Sequence, residues 1–195
     1  MRSIKVILGS IFLTAICAFG FQYNSESEGN LVIHKADLIL KAEAGIFTFN
    51  DKPFSGTAIT LSADSVLLER ADFYNGKRHG KLTKNFIDGS KSYQANYQNG
   101  RLHGISTTWW KNGLKHSEAT FDNGVLDGPQ KKWYKSGLLF KETNLVAGKE
   151  SGLQRAWREN GKLYVNYEAK SGRIYGLKRS NLCYQLDNES ITYED

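Results

Sequence analysis

The sequence predicts an all-β fold: an elongated antiparallel β-meander of β-hairpin repeats about 24 residues long, laid side by side as a single-sheet, solenoid-like array. Three observations predict it. Glycine recurs at a fixed interval, turn-forming pairs punctuate the chain, and the runs between them alternate apolar and polar residues.

The glycine comb sets the period. Gly76, Gly100, Gly124, Gly148 and Gly172 follow one another at intervals of 24 residues. Four residues after each stand Gly80, Gly104, Gly128, Gly152 and Gly176, with Gly56 one period earlier. A third series is Gly89, Gly113, Gly137 and Gly161. A fixed period of this length is the mark of a repeat architecture, here residues 56–176. Asp88-Gly89, Asn112-Gly113, Ser136-Gly137 and Asn160-Gly161 are short-turn pairs, because a tight hairpin turn demands positive φ. The second punctuation runs from Asn75 to Gly80 and recurs as Asn99 to Gly104 and Asn123 to Gly128, loosening at Ala147 to Gly152 and Ser171 to Gly176. Two turns and two short runs per unit make a hairpin and its link to the next.

The runs read as strands. Ala71 and Phe73 alternate with Arg70 and Asp72, Ala95 and Tyr97 with Gln94 and Asn96, Ala119 and Phe121 with Glu118 and Thr120, and Thr143 and Leu145 with Glu142 and Asn144. Period-two alternation with one apolar face describes a half-buried antiparallel sheet, each repeat touching mainly its neighbours.

The flanks differ from the array. Residues 1–20 carry Arg2 and Lys5, then an apolar run from Val6 to Phe19, then Ala18-Phe19-Gly20 as a small-residue cleavage site. This is the layout of a cleaved secretory signal peptide, and its apolar run is shorter than the ~20 residues of a spanning helix. The expected location is therefore the periplasm, the outer envelope or the exterior. A lipid anchor at Cys17 is the lesser alternative, because Thr14 and Ile16 stand where a lipobox needs Leu and a small residue. Residues 21–30 are a polar linker, 31–55 are expected to supply N-terminal capping strands, and 177–195 a capping strand and polar tail. Cleavage would leave Cys183 alone, so no internal disulfide supports the fold. The formal charge of +6 falls to +4 without Arg2 and Lys5, and there is no basic cluster that singles out nucleic acid.

A family comes into view at the repeat. Tyr97 to Gly104 followed by Trp109-Trp110-Lys111-Asn112-Gly113 resembles the MORN-repeat variant of bacterial YwqK-like proteins, and Phe121 to Gly128 with Trp133 to Gly137 repeats the pattern. Ile46 to Phe49 leading to Pro53-Phe54-Ser55-Gly56 is similar to the way such arrays open. The resemblance covers residues 46–176 and implies a β-hairpin array. It also implies an antitoxin-like label by association, and links to scaffolding, self-association and membrane lipid.

Two aromatic columns are the candidate working surface. Trp109, Trp133 and Trp157 share one repeat position; Phe86, Trp110 and Tyr134 share the next. Neighbouring strand residues face opposite sides, so one column is expected in the core and the other outside. Equivalent residues two strands apart are separated by ~10 Å, beyond the ~4.5–7 Å of direct ring pairs. The columns must pack on intervening strands or leave slots for a partner. His79, His103 and Asp127 share a loop position, but their spacing converges poorly on a metal ion, and no His-x-x-x-His or Cys-x-x-Cys motif supports one. No nucleophile elbow and no phosphate-cradling glycine loop leading into a helix is present. The expectation is a protein with no catalytic, metal or cofactor site, acting as a protein-binding or scaffolding module at the cell envelope. Membrane lipid or envelope polysaccharide is a further candidate partner, and so is a toxin; nucleic acid is not expected, and sheet edges offer a route to self-association.

Overall fold

The computed structural model describes residues 31–177; the signal-like segment, the linker, the tail and both cysteines lie outside the described residues. The elements run β1 (Val32–His34), a 3-10 turn (Lys35–Asp37), β2 (Ile39–Lys41), β3 (Ile46–Phe49), β4 (Lys52–Pro53), β5 (Gly56–Leu61), β6 (Leu67–Tyr74), β7 (Lys77–Asn85), β8 (Lys91–Gln98) and β9 (Arg101–Leu102). They continue with β10 (Gly104–Trp109), β11 (Lys115–Asp122), β12 (Val125–Trp133), β13 (Leu139–Val146), β14 (Lys149–Glu150), β15 (Gly152–Trp157), β16 (Leu163–Lys170) and β17 (Arg173–Leu177).

From β5 to β17 the strands pair in chain order, antiparallel throughout, with the two-residue β9 and β14 as side branches on β8 and β13, so the all-β meander is present. Two features depart from a single antiparallel sheet. β1 joins the edge in parallel with β5, and β2, β3 and β4 form a separate three-stranded sheet. That small sheet caps one face of the array. Phe47 and Phe49 on β3, with Phe54, pack against Phe73, and the Phe47 and Phe73 rings meet edge to face at 5.4 Å.

Strand alternation sorts the main sheet into two faces. The apolar face carries a middle row of Ala58, Ala71, Leu82, Ala95, Ser106, Ala119, Gln130, Thr143, Gln154 and Tyr167, joined strand to strand by register. The polar face carries Thr83, Gln94, Thr107, Glu118, Lys131, Glu142 and Arg155 in the equivalent row. Small residues dominate the apolar row at the capped end, where the β3 aromatics close over them.

The two punctuations are two different turns. Asn75 and Gly76 have φ of 48° and 76°, and Tyr74 pairs with Lys77, so this is a two-residue turn with both residues left-handed. The same geometry recurs at Asn99-Gly100, Asn123-Gly124, Ala147-Gly148 and Ser171-Gly172. It is the turn type that matches strand twist. At Asp88-Gly89 only glycine is left-handed. The Gly89 amide donates to the Phe86 carbonyl (2.9 Å) and the Phe86 amide to the Ser90 carbonyl (2.8 Å). This is the wider turn ending in a glycine bulge. The sequence points to tight turns at Asp88-Gly89 and its equivalents; they lie at the opposite edge instead, since Asn112 and Asn160 stay out of the left-handed region before their glycines, whereas Ala147 and Ser171 enter it with theirs.

Both edges tie each repeat to the next. At the tight-turn edge the Gly100, Gly124 and Gly148 amides donate to the Arg78, Leu102 and Leu126 carbonyls at 2.8, 2.7 and 2.8 Å. At the bulged-turn edge the Trp110 indole donates to the Trp133 carbonyl (3.3 Å) and the Tyr134 hydroxyl to the Trp157 carbonyl (2.9 Å).

Candidate functional site

Two hairpins present adjacent aromatic residues at the bulged-turn edge, Trp109-Trp110 and Trp133-Tyr134, with Phe86 and Trp157 standing singly in the repeats on either side. Adjacency on a strand sends the two of a pair to opposite faces. Trp109, Trp133 and Trp157 lie at the end of the polar face. The cations of Lys91, Lys115 and Arg155 sit 6.0, 5.7 and 5.6 Å from their ring centres. Trp110 and Tyr134 lie at the end of the apolar face, where Trp110 packs on His116 (4.0 Å) and Tyr134 on Phe140 (5.0 Å). Phe86 occupies the same position one repeat earlier. The expected division into a buried column and an exposed one is not observed: all six residues are half-buried. A sheet open on both faces offers neither column full cover.

The second column does leave a slot. A cavity of about 470 Å³ opens between the Trp110–His116 pair and the Tyr134–Phe140 pair, with Lys132, Lys135 and Glu159 on its walls. Beside it on the sheet lies a smaller cavity of about 290 Å³, whose lining includes Leu126, Leu145, Thr143, Lys132, Lys141 and Glu118. Lys132 lines both, so the two form one groove running along β12 over the apolar face.

The charges along this groove are unbalanced. Lys132 and Lys141 stand directly opposite each other across β12 and β13. Like charges facing across a strand pair are destabilising. Neither lysine has a hydrogen bond or ion pair among the described residues. On the other face, Glu142 receives Lys131 at 3.4 Å and Arg155 at 3.0 Å, so that row is neutralised internally. The capped half of the apolar face differs again. Three periods before Lys141 the same position is Glu69, which pairs with Lys35 of the cap at 2.8 Å and with Lys84 beside it at 3.6 Å. Burial opposes the Glu69 charge, but the Lys35 hydrogen bond and the charges of Lys35, Lys84 and Arg78 hold its carboxyl below the ordinary 4.5.

The loop column of His79, His103 and Asp127 has a structural place. The Asn75, Asn99 and Ala147 amides donate to Ser55, His79 and Asp127 respectively, at 2.9, 3.5 and 3.3 Å, each acceptor twenty residues earlier. His103 lies 3.4 Å from Asp122. Each member steadies the first residue of the next tight turn or a strand beside it. Among the described residues no group of three His, Cys, Asp or Glu side chains is placed to hold a metal ion.

Sequence reasoning singled out Trp110 and Tyr134, which do flank the slot. It missed His116, Phe140, Lys132 and Lys141. Their partnership depends on the β12–β13 register and on a bulge between Lys132 and Trp133, neither of which the period reveals.

No family model matches the chain, and no curated protein matches it. Among solved structures, a chain from the crystal structure of accessory secretory protein 1, 2 and 3 in Streptococcus pneumoniae is similar over 64% of this chain and 22% of its own length, at 17% identity and a TM-score of 0.31. The present chain thus spans about a fifth of that protein's chain, and so slight a likeness assigns nothing. Among the described residues no helix is long and apolar enough to cross a membrane.

Proposed function

We propose that this protein is a non-catalytic, exported repeat module that binds another protein, or scaffolds it, at the cell envelope. One observation carries the reading. The apolar face is covered by the chain's own cap at one end and, among the described residues, open in the middle of the array between β10 and β13, where the Trp110–Tyr134 slot and the Lys132–Lys141 pair lie. The resemblance to MORN-type arrays supports a scaffold of this kind, and the signal-like first twenty residues support export. The test is pull-down from envelope extract with the mature chain and with a Trp110→Ala, Tyr134→Ala double variant. Capture that depends on the two rings supports the reading. Equal capture by a folded double variant removes the slot as the contact surface.

A second reading is favoured by a different observation. Ile87, Leu114 and Leu138 are 58%, 43% and 50% exposed at successive bulged turns, beside Lys111 and Lys135. Apolar tips among lysines suit the boundary of an anionic membrane. Liposome flotation at low and high salt tests it, and no binding in either condition ends it. The antitoxin reading rests on the family resemblance alone, and is tested by co-expression with a toxic neighbouring gene product.

A further inference from the structure

The groove along β12 has an internal precedent. At the capped end, the apolar face is occupied by an extended segment of this same chain. β3 lays Phe47 over Phe73, and Lys35 next to the cap meets Glu69 on the sheet. The contact thus uses one kind of ring packing and one complementary charge. Three repeats on, the same face is built from Leu126, Leu145, Ala119 and Thr143, with the aromatic slot at its end, and the charge at the Glu69 position is reversed to Lys141. Lys132 doubles that charge from directly across the strand pair.

Two positive charges opposed on a half-apolar face are a local conflict in the free chain. The carboxylates on the cavity walls, Glu118 and Glu159, form no ion pair with either lysine among the described residues, and Glu118 is taken by Lys115 at 2.6 Å. An incoming anion seated between the two ammonium groups resolves it. The groove runs parallel to the strands, so its occupant is linear. On an extended peptide, side chains of one face recur every ~7 Å, and about five residues cover ~17 Å of strand. An acidic residue between the lysines therefore sets the next same-face side chains toward the slot at one end and over Gln130 and Thr143 at the other, with Leu145 two residues further along.

We infer that the open half of the apolar face binds an extended segment of a partner protein that carries an acidic residue flanked at alternate positions by aromatic or large apolar residues. The carboxylate sits between Lys132 and Lys141, and an aromatic side chain enters the slot between Trp110–His116 and Tyr134–Phe140. This rests on the binding-module reading and names the chemistry of its partner.

The test uses the mature full-length chain and a synthetic heptapeptide, Thr-Phe-Thr-Asp-Thr-Phe-Thr with blocked ends, followed by indole fluorescence and calorimetry. The peptide is expected to bind with a change in indole emission. Replacing its Asp by Asn should weaken it at least tenfold, as should Lys132→Gln with Lys141→Gln in the protein. That double variant is also expected to melt at a higher temperature than wild type, because the opposed charges are gone; a merely structural role for the lysines would lower it. Equal affinity for the Asn peptide, or unchanged affinity of the lysine variant, overturns the inference. So does tighter binding of polygalacturonate or of phosphatidylglycerol vesicles at the same two lysines, since either would make the occupant a polysaccharide or a lipid surface. If the peptide fails while ring-dependent capture from envelope extract persists, the inference falls and the module reading stands. If both fail, both fall.

Discussion

At the scale of single residues, the array depends on side chains that repair its own irregularities. β11 and β12 lose register between Ala119 and Phe121, which strands the carbonyl of Thr120; Gln130 donates to it at 3.1 Å. One repeat later Gln154 does more, accepting from the Asn144 amide (3.1 Å) and donating to the Asn144 carbonyl (2.8 Å) while only 1% exposed. Gln154→Leu keeps the volume but orphans the Asn144 amide, while the Asn144 carbonyl keeps the Ser151 amide at 3.0 Å, so urea denaturation should show a loss of about 1–3 kcal/mol. Ala147 makes the opposite case. It holds φ of 49° where the other tight turns mostly place Asn, and the left-handed region costs an L-residue with a Cβ about 1–2 kcal/mol, less for Asn. Ala147→Asn should therefore raise the denaturation midpoint by about 1 kcal/mol of stability. Two titrating groups bound the pH range. Glu69 has its folded pKa below the ordinary 4.5, so its contribution is full above that value and is lost as pH falls through the folded pKa. Glu69→Gln should cost about 1–3 kcal/mol at neutral pH, and that gap should close on acidification. Tyr167 runs the other way. Burial and its 2.8 Å bond to Glu150 push the phenol from 10.0 up to about 12. Its stabilisation holds below pH 10 and fades as pH rises toward 12, a fade that Tyr167→Phe should remove in alkaline melts.

At the scale of elements, successive hairpins are held together by a glycine amide at the tight-turn edge and, at Trp110 and Tyr134, by a ring at the bulged-turn edge. Tyr134→Phe keeps the ring and deletes the bond to the Trp157 carbonyl. The expected cost is about 0.5–1.5 kcal/mol, and hydrogen exchange should place the loosening in β15 and β16 rather than in β10. The sequence displayed the elements because glycine and alternation write turns and strands directly. It did not display which turn was which, since Asp-Gly and Asn-Gly both satisfy a hairpin and only the count of left-handed residues separates them. The faces of the two tryptophan-bearing positions were also hidden. Trp109 and Trp110 are neighbours, and the bulge between Thr108 and Trp109 changes how their strand aligns with its partner. The lysine pair was invisible for a related reason: position 141 and its equivalents are Glu69, Tyr93, Ser117, Lys141 and Val165. No period marks them, and only register brings Lys132 opposite.

At the scale of the molecule, cover is unequal. The end bearing β5 to β8 has Phe54, Ala58, Ala71, Phe73 and Leu82 buried beneath the small sheet, with Arg78 held between the Phe47 and Tyr97 rings at 5.9 and 5.7 Å. Between β10 and β13 none of the described residues forms such a lid on the apolar face, and its middle row there is Ser106, Ala119, Gln130 and Thr143. Stability in a repeat array is a sum of unit and neighbour terms and need not be uniform. Backbone amides of β6 and β7 should therefore exchange more slowly than those of β12 and β13, and addition of a groove-binding peptide should narrow that difference.

The repeat-to-repeat bonds have a consequence for how such a chain changes length. Each glycine amide reaches back to a carbonyl 22 residues earlier, and each ring reaches forward 23 residues. Both links span less than one 24-residue period, so the glycine bond recurs from junction to junction in the same register, and the ring bond does so wherever Trp110 or Tyr134 supplies a donor. Excising one whole period, such as residues 101–124, brings a donor and an acceptor of the right kind back to each side of the cut. Unequal recombination can thus lengthen or shorten the array by whole cassettes without a new interface having to arise, whereas a cut of any other length would misalign both edges at once.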